Sequence, residues 1–536
     1  MHVLIGPRFL ARRRALLVLA LLAPLMSSLP LGAPGAVRAD GRAVHARIPT
    51  LPTLPALPIG TPTPAATGTI TATTPVSSST TPSPTAPPSI PLTRVSTDPL
   101  TTSTPGISST LGQHASEVEP AVYSVGATTV AAFQVGRLYD GGSMAIGWAT
   151  RVGGGAWCHG LLPGLTKTQT PRGPFDRLSD ATVAYDARHR VWLMSSLAVT
   201  DRRGRVASGT VVVNRSGDGL TWTGPYTVSA APANGAGGFY DKDWITCDST
   251  PASPYYGRCY AQWDRSARHD TLLMSTSRDG GKTWGPPIEP GFHPLGLGGT
   301  FGLGGQPVVR PDGTVVVPAL GERGAIITYT SRDGGATWGA AVTVSFQRDH
   351  TVAGGLRTEP LPSAAVDGAG TVYVAWQDCR FEAGCGANDI VLSRSTDGVA
   401  WSPPIRVPID PAGGGADHFI PGLGVDRATG GVRARLALAY YYYPAALCHP
   451  ATCQLYAGII TSRDGGATWA APRPLAGPMS LGWLPRTSLG SMVGDYIATT
   501  FSGGDAIPVL AVAGPPGMPG ATLDEAIYAA RIPMDR

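Results

Sequence analysis

Charge is scarce in this chain: Asp, Glu, Lys and Arg together make up 14% of its 536 residues, and aromatic residues only 7%. The net charge is +5, with arginine heavily outnumbering lysine, yet no basic run occurs beyond Arg12–Arg14. A chain without such a run has no surface to track a phosphate backbone, so a nucleic-acid partner is not expected. Long apolar runs are missing too. Ala15 to Met26 is the one extended stretch, short of the roughly 20 residues that a spanning helix needs. No membrane span is therefore expected in the mature chain. What is abundant is glycine (70) and proline (51), the residues of turns and loops.

The front of the chain differs from the rest. Arg8 and Arg12–Arg14 precede the apolar run, and Val37-Arg38-Ala39 offers a small-residue cleavage site before Asp40. Residues 1–39 read as a secretory signal peptide; the consecutive arginines hint at a twin-arginine route, and an uncleaved N-terminal anchor is the alternative. Residues 40–112 are dominated by Pro, Thr and Ser. Such a segment cannot bury a core and reads as an extended, disordered stalk open to O-glycosylation. Seven cysteines suit an oxidising compartment. Cys247 with Cys259, Cys379 with Cys385, and Cys448 with Cys453 are close enough to pin loops locally. Cys158, left over beside Trp157, is expected to be a buried thiol. Cys448-His449 through Cys453 could ligate zinc, but no second pair is spaced to complete the site.

Residues 113–536 carry a repeat. Five copies of Ser-x-Asp-Gly-x-x-Thr-Trp or a shortened form occur, at Ser216–Trp222, Ser277–Trp284, Ser331–Trp338, Ser395–Trp401 and Ser462–Trp469. Thr150–Trp157 is a degenerate copy with Val152 in place of the aspartate, and the tryptophans follow one another at steps of 54 to 68 residues. Asp followed by glycine is hairpin-turn chemistry, the tryptophan is an anchor for packing between sheets, and a strand such as Ile326–Tyr329 precedes the turn. Each copy is expected to be a hairpin tip with a structural role. A second pattern opens each unit: a polar start leading into an apolar strand, at Glu119, Asp180, Asp243, Gln306, Leu361, Ile420 and Asp495. Roughly four strands per unit, arranged radially, describe an all-β protein of the β-propeller class. Seven starts favour seven blades, the last completed by a strand from the start of the domain; six blades and a closing segment is the alternative.

The turns resemble the Asp boxes of the sialidase superfamily, and the flanking segments are similar to bacterial secreted exo-α-sialidase-like proteins from Ser116 to Pro533. The resemblance implies a secreted or cell-surface bacterial glycoside hydrolase of the sialidase type. In such a site three arginines clamp the substrate carboxylate, a tyrosine activated by a glutamate is the nucleophile, and an aspartic acid is the acid/base. Carried over residue by residue, the nucleophile falls on Tyr496, the activating glutamate on Glu359 and the acid/base on Asp140. Arg380 matches the arginine downstream of the glutamate, at a longer spacing. The first-blade arginine is absent, its place being taken by Val118-Glu119-Pro120. Neither Arg531-Ile532-Pro533 nor Arg47-Ile48-Pro49 lies where it is needed, and Arg435 or Arg486 would have to be the third.

The unit-opening segments converge on the central channel in this architecture. They bring Glu119, Asp180, Asp241, Asp243, Glu359, Asp417, His418 and Asp495 to one mouth, with Arg357, His350 and Tyr496 nearby. Crowded carboxylates could supply an acid and a base, hold a structural calcium ion, or cap strand ends. No cofactor is required. Tyr440–Tyr443 would be either a sugar-stacking platform or packing between blades. The favoured function is a monomeric sialidase-like glycoside hydrolase acting on terminal sugars of glycans or glycoconjugates; the alternative is a non-catalytic glycan- or protein-binding propeller displayed on its stalk.

Overall fold

A computed structural model describes residues 90–100, 112–169, 171–202, 205–231, 239–266, 270–291, 300–517 and 522–534. Residues 1–39, read as a signal peptide, and most of the segment read as stalk lie outside these residues. The described chain is all-β, its helical segments being three-residue 3-10 turns. Strands such as Val372–Asp378 (Val-Tyr-Val-Ala-Trp-Gln-Asp) are rich in the β-branched and aromatic residues that fit a pleated surface.

The ladders form consecutive antiparallel meanders. The first runs Gly112–Val125, Thr128–Leu138, Ser143–Val152, Trp157–Leu161. The second runs Arg177–Asp186, Val191–Arg202, Arg205–Ser216, Thr223–Ala230. The third is Tyr240–Cys247, Cys259–Arg265, Thr271–Ser277, with Ile288 bridged to Met274 at its outer side. The fourth is Val308–Val309, Val315–Gly321, Ala325–Ser331, Val342–Phe346. The fifth is Ser363–Val366, Val372–Asp378, Asp389–Ser395, Ile405–Arg406. The sixth is Asp417–Val425, Leu436–Tyr443, Gln454–Ser462, Arg473–Ser480. The last is Ala498–Ser502, Asp505–Ala513, Glu525–Ala530, closed by Leu92–Arg94, with Leu92 opposite Ala530. A closing strand from early in the chain was expected; its source is a correction. Leu92–Arg94 falls inside residues 40–112, where three strand residues are too few to stand out from the surrounding Pro, Thr and Ser.

The opening strand of each meander packs beside that of the next, and the last packs against the first. The core is accordingly a series of layers between sheets. Val315 and Val317 face the layer shared by the third and fourth sheets, whereas Val316 faces the layer shared by the fourth and fifth. Val372, Val374 and Trp376 face that same layer, and Tyr373 and Ala375 the next one round. Period-2 alternation thus feeds two layers from one strand, which is why these strands read as near-continuous apolar runs. A further cluster joins Tyr441 and Ile459 of the sixth sheet to Val509 and Ile527 of the last and Phe133 of the first. This radial stacking is the β-propeller arrangement.

Each Ser-x-Asp-Gly copy is the turn after the third strand of its sheet. In the third sheet, Asp279 Oδ1 accepts from the amides of Lys282 and Thr283 at 3.0 Å, Oδ2 accepts from Thr283 Oγ1 at 2.6 Å, and Ser277 Oγ accepts from Gly281 N at 2.9 Å. These bonds hold the carboxylate ionised: Asp218 is lowered to about 2, chiefly by the Thr221 amide, and Asp397 and Asp464 are lowered as well. Gly281 (φ 79°) lies against the preceding sheet, where a Cβ would come 2.7 Å from Leu193 Cδ2. An arginine of the preceding sheet grips each later turn by a carbonyl: Arg215 on Gly280 (2.6 Å), Arg258 on Gly334 (2.7 Å), Arg310 on Thr396 (2.7 Å) and Arg394 on Gly465 (3.2 Å). Trp222, Trp284, Trp338, Trp401 and Trp469 pack in the layer toward that preceding sheet.

The expected disulfides Cys247–Cys259, Cys379–Cys385 and Cys448–Cys453 are formed. Cys158 is exposed rather than buried, because Trp157–Leu161 is the outermost strand of its sheet. Tyr440, Tyr441 and Tyr443 are buried on alternate faces in two adjacent layers, so the tyrosine run is packing between sheets. Among the described residues no helix is long and apolar enough to cross a membrane.

Candidate functional site

One local device shapes the channel mouth. The opening strands slip register at equivalent places: Val118/Ala121, Ser179/Thr182, Asp241/Trp244 and Phe419/Gly422. The first residue in each slip has a left-handed backbone, Glu119 at φ 57°, Asp180 at 52°, Lys242 at 47° and Ile420 at 51°. These are non-glycine residues in a region costing about 1 kcal/mol or more, so the surrounding structure must hold them there. A bulge of this kind re-aims a side chain. Here it turns Glu119, Asp180 and Lys242 toward one another.

Lys242 is the centre of the cluster. Its Nζ lies 3.4 Å from Asp180 Oδ1, 3.4 Å from Asp495 Oδ2 and 3.8 Å from Glu119 Oε1, and 4.5 Å from the centre of the Tyr496 ring. Arg357 grips Asp495 with two parallel bonds, Nε to Oδ1 at 2.8 Å and Nη2 to Oδ2. The Asp495 amide donates to Glu119 Oε1 at 3.2 Å. Gln134 donates to Glu119 Oε2 and accepts from Arg137 Nη1 at 2.8 Å. All of these charged side chains are buried.

Burial pulls the Lys242 pKa down, but Glu119, Asp495 and Asp180 outweigh burial and raise it. Burial pushes Glu119 up to about 7 against the pull of Lys242, with Asp495 and Asp180 adding to the rise. Asp243 is raised well above the carboxylate range by burial, although Ser195 Oγ donates to it at 2.6 Å. Tyr496 is raised by burial and then by Glu119, Asp180, Asp243 and Asp495. Its hydroxyl donates to the Ala181 carbonyl at 3.4 Å, and its ring meets Trp244 edge-on at 5.3 Å. A phenol so placed holds its proton. The cavity beside it, lined by Lys242, Asp243, Trp244, Gln306 and Asp495, is about 20 Å³, room for about one water. A larger cavity of about 200 Å³ continues along the inner strands of all the meanders, past Tyr123, Thr246, Ser363, Asp426, Thr500 and Phe501.

The expected site residues therefore divide. Glu119, Asp180, Asp243, Arg357, Asp495 and Tyr496 come together at the mouth. Glu359 is half-buried beside Arg357, whose charge it supports. Asp140 stands apart, its carboxylate 2.8 Å from Arg177 Nη1, and Arg177 also holds Asp201. Arg380 is engaged by Asp378, Nε to Oδ1 at 2.9 Å and Nη2 to Oδ2 at 2.7 Å, and donates to the Phe346 carbonyl at 2.6 Å. Its guanidinium is thus engaged by a neighbouring turn. Arg435 is paired with Asp426. His350 and Asp417 meet through Asn388, which donates to Asp417 Oδ1 from its backbone (2.8 Å) and side chain (2.9 Å) and accepts from the His350 amide at 2.8 Å. Burial raises Asp417 to about 6 and lowers His418 to about 4. His418 lies between Tyr440 and Tyr442, close to Asp389 and Asp410. The sequence reading missed Lys242, Gln134 and Arg137. The available signal was that Lys242 is one of three lysines in the chain and sits between Asp241 and Asp243.

No protein-family model matches the chain, and no curated protein matches it. Solved structures with a similar trace include a protein of unknown function from Dyadobacter fermentans (14% identity, 66% of this chain and 95% of that one, TM-score 0.42). The Hadza microbial sialidase Hz136 (15%, 74% and 75%, 0.41) and the NanB sialidase from Streptococcus pneumoniae (11%, 84% and 72%, 0.41) are others.

Proposed function

We propose that this chain is an extracellular, non-catalytic binding module: a seven-bladed propeller with Asp-box turns that takes the neutral end of a glycan into its central channel. The observation that carries this reading is the closed, self-neutralised mouth. Lys242 and Arg357 are both committed to carboxylates, and the Tyr496 hydroxyl is turned into a backbone carbonyl beside a void of about 20 Å³. An anionic sugar would find Lys242 and Arg357 already bound to carboxylates, and a nucleophile would find little room. The longer cavity offers hydroxyls and aromatic edges, among them Ser124, Thr246, Thr500, Tyr123 and Phe501, the mixture that suits sugar hydroxyls and ring faces. Its charged groups are occupied: Asp426 by Arg435, and Arg427 by the Val309 carbonyl. Three disulfides agree with an extracellular setting.

A second reading, a glycoside hydrolase acting on terminal sugars, is favoured by one pair. Glu119, pushed up to about 7 by burial, lies among Asp180 and Asp495, so the mouth holds a carboxyl able to exchange a proton near neutral pH beside two others. Incubating the mature chain with a panel of sialylated and neutral oligosaccharides separates the two readings. Retention of a neutral glycan without release of monosaccharide is the expected result. Release that is abolished by Glu119→Gln establishes the hydrolase, and neither retention nor release removes glycans from the account.

A further inference from the structure

Between the fifth and sixth sheets a second polar cluster stands apart from the mouth. Asp389 opens the third strand of the fifth sheet, Asp410 lies in the connection that follows it, and His418 is in the opening strand of the sixth. One ligand atom from each falls within 4.8 Å of the other two. Asp389 and His418 are each 2% exposed, and Asp389 Oδ2 and His418 Nδ1 have no hydrogen-bond partner. Buried polar atoms left unpaired in this way are rare and require an explanation.

The surroundings are arranged around that gap. Arg406 donates from Nε to Asp389 Oδ1 at 2.8 Å, from Nη2 to Asp410 Oδ1 and from Nη1 to the Asp410 carbonyl at 2.6 Å. It thereby orients both carboxylates while engaging only one oxygen of Asp389. The imidazole is held edge-on to Tyr440 at 5.6 Å and stacked on Tyr442 at 5.9 Å, 26° between planes. Two carboxylates against one guanidinium leave an excess negative charge, and Asp410, partly exposed, gives solvent access.

We propose that Asp389, Asp410 and His418 bind one divalent transition-metal ion, of the zinc or manganese kind, that ties the fifth sheet to the sixth. One imidazole nitrogen with two carboxylate oxygens suits such ions, whereas calcium takes oxygen ligands. Arg406 acts as the outer partner that fixes the carboxylates, as hydrogen-bonded ligands in metal sites usually have. The Tyr440–Tyr443 run gains a second use, since its even members set the imidazole plane.

The test uses the mature chain, freed of metal with a chelator and titrated separately with zinc, manganese, cobalt and calcium chlorides. Saturable binding of one zinc or manganese ion with a rise in Tm is expected, and cobalt should give a visible absorption band distinct from that of the free aqueous ion. Asp410→Asn, at the partly exposed position, should lose that binding with its metal-free Tm unchanged, and His418→Gln should abolish the cobalt band. Arg406→Lys should weaken binding by about 10–100-fold. The proposal is overturned by an absence of saturable zinc or manganese binding to the unaltered chain, by binding that survives both Asp410→Asn and His418→Gln, or by a site that takes calcium alone.

Discussion

Lys242 shows how one residue can organise a channel. Held in a left-handed backbone at a bulge, it places one ammonium 3.4 to 3.8 Å from three buried carboxylates. Removing the cation leaves those charges uncompensated, which costs more than the pair contributes. Lys242→Met should therefore destabilise the chain by about 3–5 kcal/mol in urea unfolding at pH 7. The loss should shrink in strongly acidic buffer, where carboxyl groups carry no charge for the lysine to balance; a deficit independent of pH would mean that packing, and not charge, was lost. The mouth was only half legible in the sequence. Glu119, Asp180, Asp243 and Asp495 recur at the same place in each unit, so period and polarity expose them. Lys242 was masked by the aspartates on either side, and Arg137 and Gln134 lie inside an apolar strand with no pattern to mark them. Which carboxylate captures Arg380, and which arginine captures Asp140, depends on contacts between turns that spacing does not encode.

At the scale of elements, the Asp-Gly turn is a unit that serves its own sheet and its neighbour at once. Within the turn, Asp279 collects four hydrogen bonds on two oxygens; across the layer, Arg215 binds the Gly280 carbonyl. Asp279→Ala should cost about 1–2 kcal/mol, the scale of bonds to a charged acceptor partly exposed to water. The same change at Asp464, in the sixth sheet, shares no partner with it, so the double variant should lose the sum. Arg215→Ala should destabilise by about 1–2 kcal/mol through the layer alone, and its effect should fall below additivity when combined with Asp279→Ala, because both act on one turn. Additivity in the second pair would mean that the arginine does not read the turn conformation. These turns were the most legible part of the chain, since a motif whose chemistry is local survives without knowledge of the fold. The short inner strands Val308–Val309 and Ser363–Val366 were legible only through the period of the units around them.

For the whole molecule, closure is the step on which the circuit depends. The last sheet is completed by Leu92–Arg94, and Ser96 secures it: its Oγ donates to Glu117 and accepts from the Ile527 amide at 2.8 Å. A chain beginning at residue 113 would leave Glu525–Ala530 as an open edge and should unfold at a lower temperature than one beginning at residue 40, with greater aggregation. The same junction buries two acids. Burial raises Glu117 to about 7, and it raises Glu525, both of whose carboxyl oxygens lack a hydrogen-bond partner, well above the carboxylate range, with Glu117 adding to the rise. The sign of the pH dependence follows from which state holds the proton. Below the ordinary value of 4.5 both states are protonated and the junction carries no penalty. Between 4.5 and about 7 the unfolded chain releases the Glu117 proton while the folded chain keeps it, so the unfolded state gains and stability falls as pH rises. Above about 7 the penalty is complete. Glu117→Gln removes this titration while keeping a group that can accept from Ser96. Relative to the unaltered chain, it should gain on the order of 2–4 kcal/mol between pH 4.5 and 7 in urea midpoints measured across that range. A difference that stays flat across the window would show that Glu117 is already ionised in the folded state, and that Ser96 donates to a carboxylate in place of a neutral acid.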